Sequence, residues 1–262
     1  MTATQLFGFG GAVILVLVTL LWILSLILKD AGIADIFWGA GFVLSFWVSF
    51  LLCPDGYVPR KMLLGVLVTV WGLRLSLHIL RRNWGKGEDF RYRKWRLEAG
   101  RSWWWRSYFK VFVLQGLLLW IVSFPLAAAQ HYPGYARLTV LDLLAMPVWC
   151  FGFFFETAGD WQLAKFKSNP QNRGKVLRTG VWRYTRHPNY FGDAVQWWAF
   201  YLIAAACGGH WSVFSPLLMT YLLMRVSGVA LLEKTLVETK PGYGECVQST
   251  NAFVPWFPRE AR

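Results

Sequence analysis

Seven stretches of this sequence are long and apolar enough to cross a lipid bilayer, and no other feature restricts its fold as tightly. A spanning helix needs roughly 20 mostly apolar residues. The windows lie at 7–28, 35–52, 62–80, 107–129, 138–158, 189–207 and 211–231. A chain that is 56% hydrophobic, with 17 tryptophans, has the composition of a membrane protein and not of a soluble domain. The fold class expected is therefore all-α: a polytopic bundle of about seven transmembrane helices. The opening residues, MTATQLFGFG, carry no basic segment, so the first apolar run reads as an anchor.

The formal charge of +13 raises the question of a nucleic-acid partner, and its placement argues against one. The 81–106 loop, RRNWGKGEDFRYRKWRLEAGRSWWWR, is dominated by Arg and Lys. The 161–187 segment holds Lys165, Lys167, Arg173, Lys175, Arg178, Arg183 and Arg186 and no acid, whereas the linkers 130–137 and 208–210 hold Arg137 alone. Basic residues gather on the cytoplasmic side of membrane proteins. Both basic loops and the C-terminus are therefore expected in the cytoplasm and the N-terminus outside, in a bacterial inner membrane. Arg60 and Lys61 fall on the outer side against this trend. Such loops attract acidic lipid heads, and arginine also grips phosphate in a bidentate way, so topology and a nucleotide pocket both account for them. Neither GxGxxG nor GxxxxGK[ST] occurs, so a nucleotide would have to be held by helix ends and loop side chains. Cys53, Cys150, Cys207 and Cys246 show no CxxC or Cys/His ligand spacing, and no metal is expected. Without repeats or low-complexity linkers, residues 1–262 read as one domain.

Charges at membrane depth are costly and mark candidate sites. Asp35 opens the second window; Arg74 and His78 share one face of the third, four residues apart. Glu156 and Asp160 repeat that spacing at the end of the fifth window, Asn189 and Asp193 at the start of the sixth, and Glu233 closes the seventh. Arg74 and His78 also suit a structural ion pair with Asp35, and Asn189 and Asp193 suit helix capping. Taken together, the polar pairs at the cytoplasmic ends would line a cavity open to the cytosol. The 178–187 segment forms its wall, and Pro188 starts a helix at its first turn.

These residues carry a resemblance. RTGVWRYTRHPNYFGD at 178–193, FETAGDWQLAKF upstream and GVALLEKTLVETKPGYGECVQSTNAFVPWFP downstream resemble the steroid 5-alpha-reductase-like membrane family, in its bacterial branch with a domain of unknown function. DIFWG and GEDFRYRKWR fit the same branch. The RHPNYFG core is shared with isoprenylcysteine-type methyltransferases.

The resemblance implies NADPH bound mainly by 138–258 and hydride transfer to the β carbon of an apolar, lipid-like enone drawn from the bilayer. Glu156 and Asp160 would face the cofactor, Arg178 would meet a phosphate, and Asn189 and Asp193 would meet its nicotinamide side; if the pocket holds NADPH, Arg183 and Arg186 are, with Arg178, the nearest candidates for its phosphates. His187, Tyr190 and Glu233 complete the cofactor-binding set. The substrate end departs from the reductases: where they carry a Gln-Glu pair and a tyrosine, this chain offers Asp35, Arg74 and His78, which are expected to do the catalytic work. The alternatives are an S-adenosylmethionine-dependent methyltransferase, whose usual Glu-Glu stands here as Glu233-Lys234, and a non-enzymatic lipid-binding protein. The sequence does not indicate an oligomeric state.

Overall fold

A computed structural model describes residues 2–226 and 228–259. The chain is helical, with no strand among the described residues. It divides into two compact units, residues 1–139 with 203–212 and residues 140–202 with 213–262. Among the described residues, five helices are long and apolar enough to cross a membrane: Ala3–Leu28, Ile33–Leu52, Val58–Asn83, the run Phe90–Val122, and Val140–Ser168. These fall on the first five apolar windows, the fourth of which runs past Val122 into a separate helix, Phe124–His131. The sixth window holds a helix of 18 residues that Asn189, Asp193 and Gln196 make less apolar, and the seventh is broken into short helical pieces.

In the first unit, α1 (Ala3–Leu28) starts at a capping box in which Thr2 and Gln5 satisfy each other's backbone N–H. The hairpin of α2 (Ile33–Leu52) and α3 (Val58–Asn83) is the tightest packing there. A Cβ on Gly39 would strike the carbonyl of Gly72, and one on Gly72 would lie 2.6 Å from that of Gly39. Two backbones meet there because neither has a side chain, as small residues allow in membrane helices. Ser76 Oγ accepts from the Ala40 N–H at 2.9 Å, and Trp47 Nε1 donates to Thr69 Oγ1 at 2.9 Å, fixing the antiparallel register. The chain continues through α4 (Phe90–Ala99), α5 (Trp103–Ser107), a π-helical stretch (Tyr108–Val113), α6 (Leu114–Val122) and α7 (Phe124–His131).

Arg60 and Lys61, the two cations that run against the expected charge distribution, are buried at 0% and 2% exposure. Arg60 donates to the carbonyl of Arg137 at 2.8 Å, and Lys61 Nζ to those of Cys53 at 2.5 Å and Asp55 at 3.0 Å. Their charge closes loops, so they do not count as free basic residues in the topology.

The second unit is built on α8 (Val140–Ser168) and all but the last three residues of α9 (Pro188–Ala205). Pro188 occupies the first position of α9, where its missing N–H costs nothing, as the sequence indicates. The two helices cross on glycine: a Cβ on Gly152 would lie 2.6 Å from the Gly192 carbonyl, and one on Gly192 would strike Glu156 N. α10 (Phe214–Tyr221), α11 (Val229–Thr239) and α12 (Tyr243–Ser249) follow. The tail then lies along 184–187: Asn251 O accepts from Arg186 N at 2.9 Å, Phe253 O from Thr185 Oγ1 at 2.8 Å, and Tyr184 O from Trp256 N at 2.9 Å.

Candidate functional site

Two clusters of polar side chains stand out, one in each unit. The first gathers on Asp35, in the opening turn of α2. Its Oδ2 accepts from Arg91 at 2.9 Å and its Oδ1 from the Tyr92 hydroxyl at 2.6 Å, while Gln115 Nε2 lies 3.3 Å from Asp35 Oδ1 and 3.0 Å from Tyr92 Oη. Tyr92 is 3% exposed.

These three partners are carried by α4 and α6. Asp89 places the two on α4, Arg91 and Tyr92, by capping that helix, accepting from the Arg91 backbone N–H and from its guanidinium, each at 2.9 Å. Burial works against the Asp89 carboxylate, but the bonds from Arg91 outweigh it and hold its pKa below the usual range. Arg96 is likewise tied, by two 2.8 Å bonds to Glu88, whose carboxylate also accepts from Ala31 N. Part of the basic 81–106 loop is thus neutralised within itself and against α2.

Arg74 and His78 lie on α3, and neither is among the hydrogen-bond partners of Asp35. The catalytic trio read from the sequence is therefore joined on Asp35 by residues that reading missed: Arg91, Tyr92 and Gln115. The signal for the first two was GEDFRYRKWR, which places Arg91 and Tyr92 beside the helix cap; Gln115 had no local signal.

The second cluster lies on the α8–α9 crossing and the segment before it. The crossing on Gly152 and Gly192 brings Gln196 Nε2 to Glu156 Oε2 at 2.7 Å, with the two residues 0% and 2% exposed. One turn away, Asn189 Nδ2 donates to Asp160 Oδ1 at 3.1 Å, beside Gly159, where a Cβ would lie 3.1 Å from Asn189 N. Of the two i,i+4 pairs, Asp160 and Asn189 meet directly, Glu156 takes a partner the sequence reading missed, and Asp193 is buried on α9.

Before α9, Arg186 and His187 converge on Glu233 of α11. Arg186 places two nitrogens 2.8 Å from Glu233 Oε1, and His187 Nε2 lies 3.2 Å from the same oxygen. Arg186 also donates to the carbonyls of Val247 and Thr250. Burial by itself would raise the Glu233 pKa, but the bonds from His187 and Arg186 prevail and hold it at about 2. Burial likewise opposes the Arg186 charge, and Glu233 more than compensates, raising its pKa. The His187 ring stacks on Tyr190, with centroids 5.7 Å apart.

Arg186 is thus committed to holding the tail and α11 together. Arg178 and Arg183 reach solvent: Arg178 donates to Gly242 O and lies 3.3 Å from Glu245 Oε2, and Arg183 is exposed. The cluster presents carboxylates, amides and cations, and so both hydrogen-bond donors and acceptors.

No solved structure matches this chain. An uncharacterized protein of Schizosaccharomyces pombe is 25% identical over 280 residues, an alignment covering 96% of this chain and 80% of the yeast protein. The family model described as "Protein of unknown function (DUF1295)" matches residues 21–250, a range that holds both clusters, and the chain belongs to that family.

Proposed function

We infer that the protein is a membrane-embedded, NADPH-dependent reductase acting on the carbon–carbon double bond of an apolar, lipid-like enone. The observation that carries this reading is the buried phenol of Tyr92, held by Asp35 at 2.6 Å and by Gln115 at 3.0 Å. Reducing an enone builds negative charge on its carbonyl oxygen, and a preorganised donor aimed at that oxygen lowers the barrier. The resemblance of residues 178–193 and their flanks to the steroid 5-alpha-reductase-like family supports the same reading.

When bound, NADPH supplies a hydride to the β carbon. In the structure the Tyr92 hydroxyl gives its one proton to Asp35 Oδ1, so the substrate oxygen would replace that carboxylate as its acceptor before being protonated. Gln115 Nε2 donates to Tyr92 Oη and would support the oxygen after its proton has left. Arg91 balances the Asp35 carboxylate through the change. Arg74 and His78 belong to the same unit and are assigned to the substrate end with Asp35. In the second unit, Glu156, Asp160, Asn189 and Asp193 present hydrogen-bonding groups to the nicotinamide half, and Arg178 and Arg183 present cations to the phosphates. Arg186, His187, Tyr190 and Glu233 fix the segment that carries them. The basic loops are assigned to the cytoplasm, where NADPH is available, with the N-terminus outside.

The test is Tyr92→Phe, which keeps the ring and removes the proton. Turnover of an enone substrate should fall about 10²–10⁴-fold, the usual contribution of a positioned acid, while the dissociation constant for NADPH stays within twofold. An unchanged turnover refutes the role of Tyr92 and, with it, the observation on which this reading rests.

A further inference from the structure

At the end of the first unit opposite the basic 81–106 loop, three side chains with metal-binding donors converge. They are Cys53, just after α2; Asp55, in the turn between α2 and α3; and His131, the last residue of α7. One donor atom from each lies within 4.8 Å of the others. The Cys53 sulfur stands 3.7 Å from Asp55 Oδ2 and 3.5 Å from the carbonyl oxygen of Gln130. With Zn–S near 2.3 Å and Zn–O near 2.0 Å, the edge of a tetrahedral site measures about 3.5 Å. The Cys53–Asp55 edge already stands close to that spacing, and His131 lies within 4.8 Å of both.

A second observation is independent of the spacing. His131 Nδ1 is buried and makes no hydrogen bond among the described residues. A buried polar atom without a partner is uncommon and calls for an explanation. A metal ion supplies one, because a neutral imidazole binds metal through its lone pair.

The turn is also held in place before any ion arrives. Lys61 Nζ donates to the carbonyls of Cys53 and Asp55, so the backbone on both sides of Pro54 is clamped. Gly56 takes φ 83°, and a Cβ there would lie 2.6 Å from Gln130 O. That close approach seats the turn against the end of α7, and it needs glycine on both counts. Ordering of this kind spares the ion the cost of assembling its ligands.

We propose that Cys53, Asp55 and His131 bind one Zn²⁺, with the fourth position open to water or to the Gln130 carbonyl. Sulfur, imidazole nitrogen and carboxylate oxygen together suit zinc better than calcium or magnesium, which prefer all-oxygen shells. A thiolate and a carboxylate cancel the two charges of the ion, so none is added beside the Lys61 ammonium. Binding releases the thiol proton from Cys53 to solvent. The proposal is independent of the reductase reading, since it involves none of the same residues.

The experiment uses the full-length protein in detergent, kept reduced by a phosphine. Zn²⁺ is titrated against a chromophoric chelator, and Co²⁺ is added separately to read its absorption spectrum. The expected result is one equivalent of Zn²⁺, with a thiolate-to-cobalt charge-transfer band in the Co²⁺ form. Cys53→Ala and His131→Ala should each weaken Zn²⁺ binding by more than 100-fold, above the 10–100-fold that outer-shell partners cost. Asp55→Asn, at an exposed turn position, tests the site without disturbing packing and should also weaken binding. Failure of the reduced wild type to bind Zn²⁺ overturns the proposal. So does an affinity unchanged in Asp55→Asn and Cys53→Ala, or a cobalt spectrum without the thiolate band.

Discussion

Replacing Glu233 by Gln isolates the charge that holds Arg186 and His187 in place. The side chain keeps its shape but loses the anion that faces two Arg186 nitrogens at 2.8 Å and His187 Nε2 at 3.2 Å. A carboxyl held at about 2 in the folded chain, against about 4.3 when unfolded, corresponds to roughly 3 kcal/mol of differential stabilisation at neutral pH. The side chain is 22% exposed, so screening by solvent reduces the expected cost to about 1–2 kcal/mol. The readout is intrinsic tryptophan fluorescence during heating of the detergent-solubilised protein, at one fixed scan rate because unfolding of such proteins is often irreversible. At pH 7 the variant should melt a few degrees below wild type. The sign with pH follows from a depressed pKa. The wild-type advantage is fully present above the unfolded value of about 4.3, shrinks as pH falls, and is gone below the folded value of about 2. Equal melting at pH 7, or a gap that stays constant down to pH 2, refutes the argument.

Four further outcomes are expected. Gly192→Ala forces a Cβ against Glu156 N and Gly152 O; backbone cannot move aside cheaply, so a loss of about 1–3 kcal/mol should appear in the same melting assay. Arg178→Ala should weaken NADPH binding by about one to two decades, since charge-assisted bonds to phosphate are worth roughly 1.5–3 kcal/mol each; NADH should lose far less if the 2′-phosphate is the group held. Asp193→Ala should weaken NADPH and NADH alike, because both carry the same nicotinamide half. In intact cells, a single cysteine at the exposed Tyr135 should be labelled from outside and one at Ser102 should not; labelling of Ser102 reverses the assigned topology.

The helices were legible in the sequence because lipid imposes a long, uniform apolar requirement that composition alone reveals. The start of α9 was legible too, since Pro188 fits the first turn of a helix and little else there. Partners across helices were not. Glu156 and Asp160 plainly share a face, yet whether Glu156 meets an arginine or Gln196 depends on where α8 and α9 cross, which Gly152 and Gly192 decide through contact and not through sequence spacing. Asp35 finds its partners 56, 57 and 80 residues further along the chain, so no local pattern announces Tyr92 or Gln115. Arg60 and Lys61 looked like exceptions to a charge rule; in the structure both are buried and donate to backbone carbonyls, which no sequence pattern announces. Cys53 and His131 fall at the ends of different helices and meet through the packing of a turn.

The most direct test of the central claim is calorimetric titration of the purified protein with NADPH and, separately, with S-adenosylmethionine. The account predicts saturable binding of NADPH at one site per chain, weakened in Arg178→Ala, and no heat from S-adenosylmethionine. Binding of S-adenosylmethionine without NADPH would give the second-unit cluster to a methyltransferase, and binding of neither would leave a lipid-binding protein in place of an enzyme.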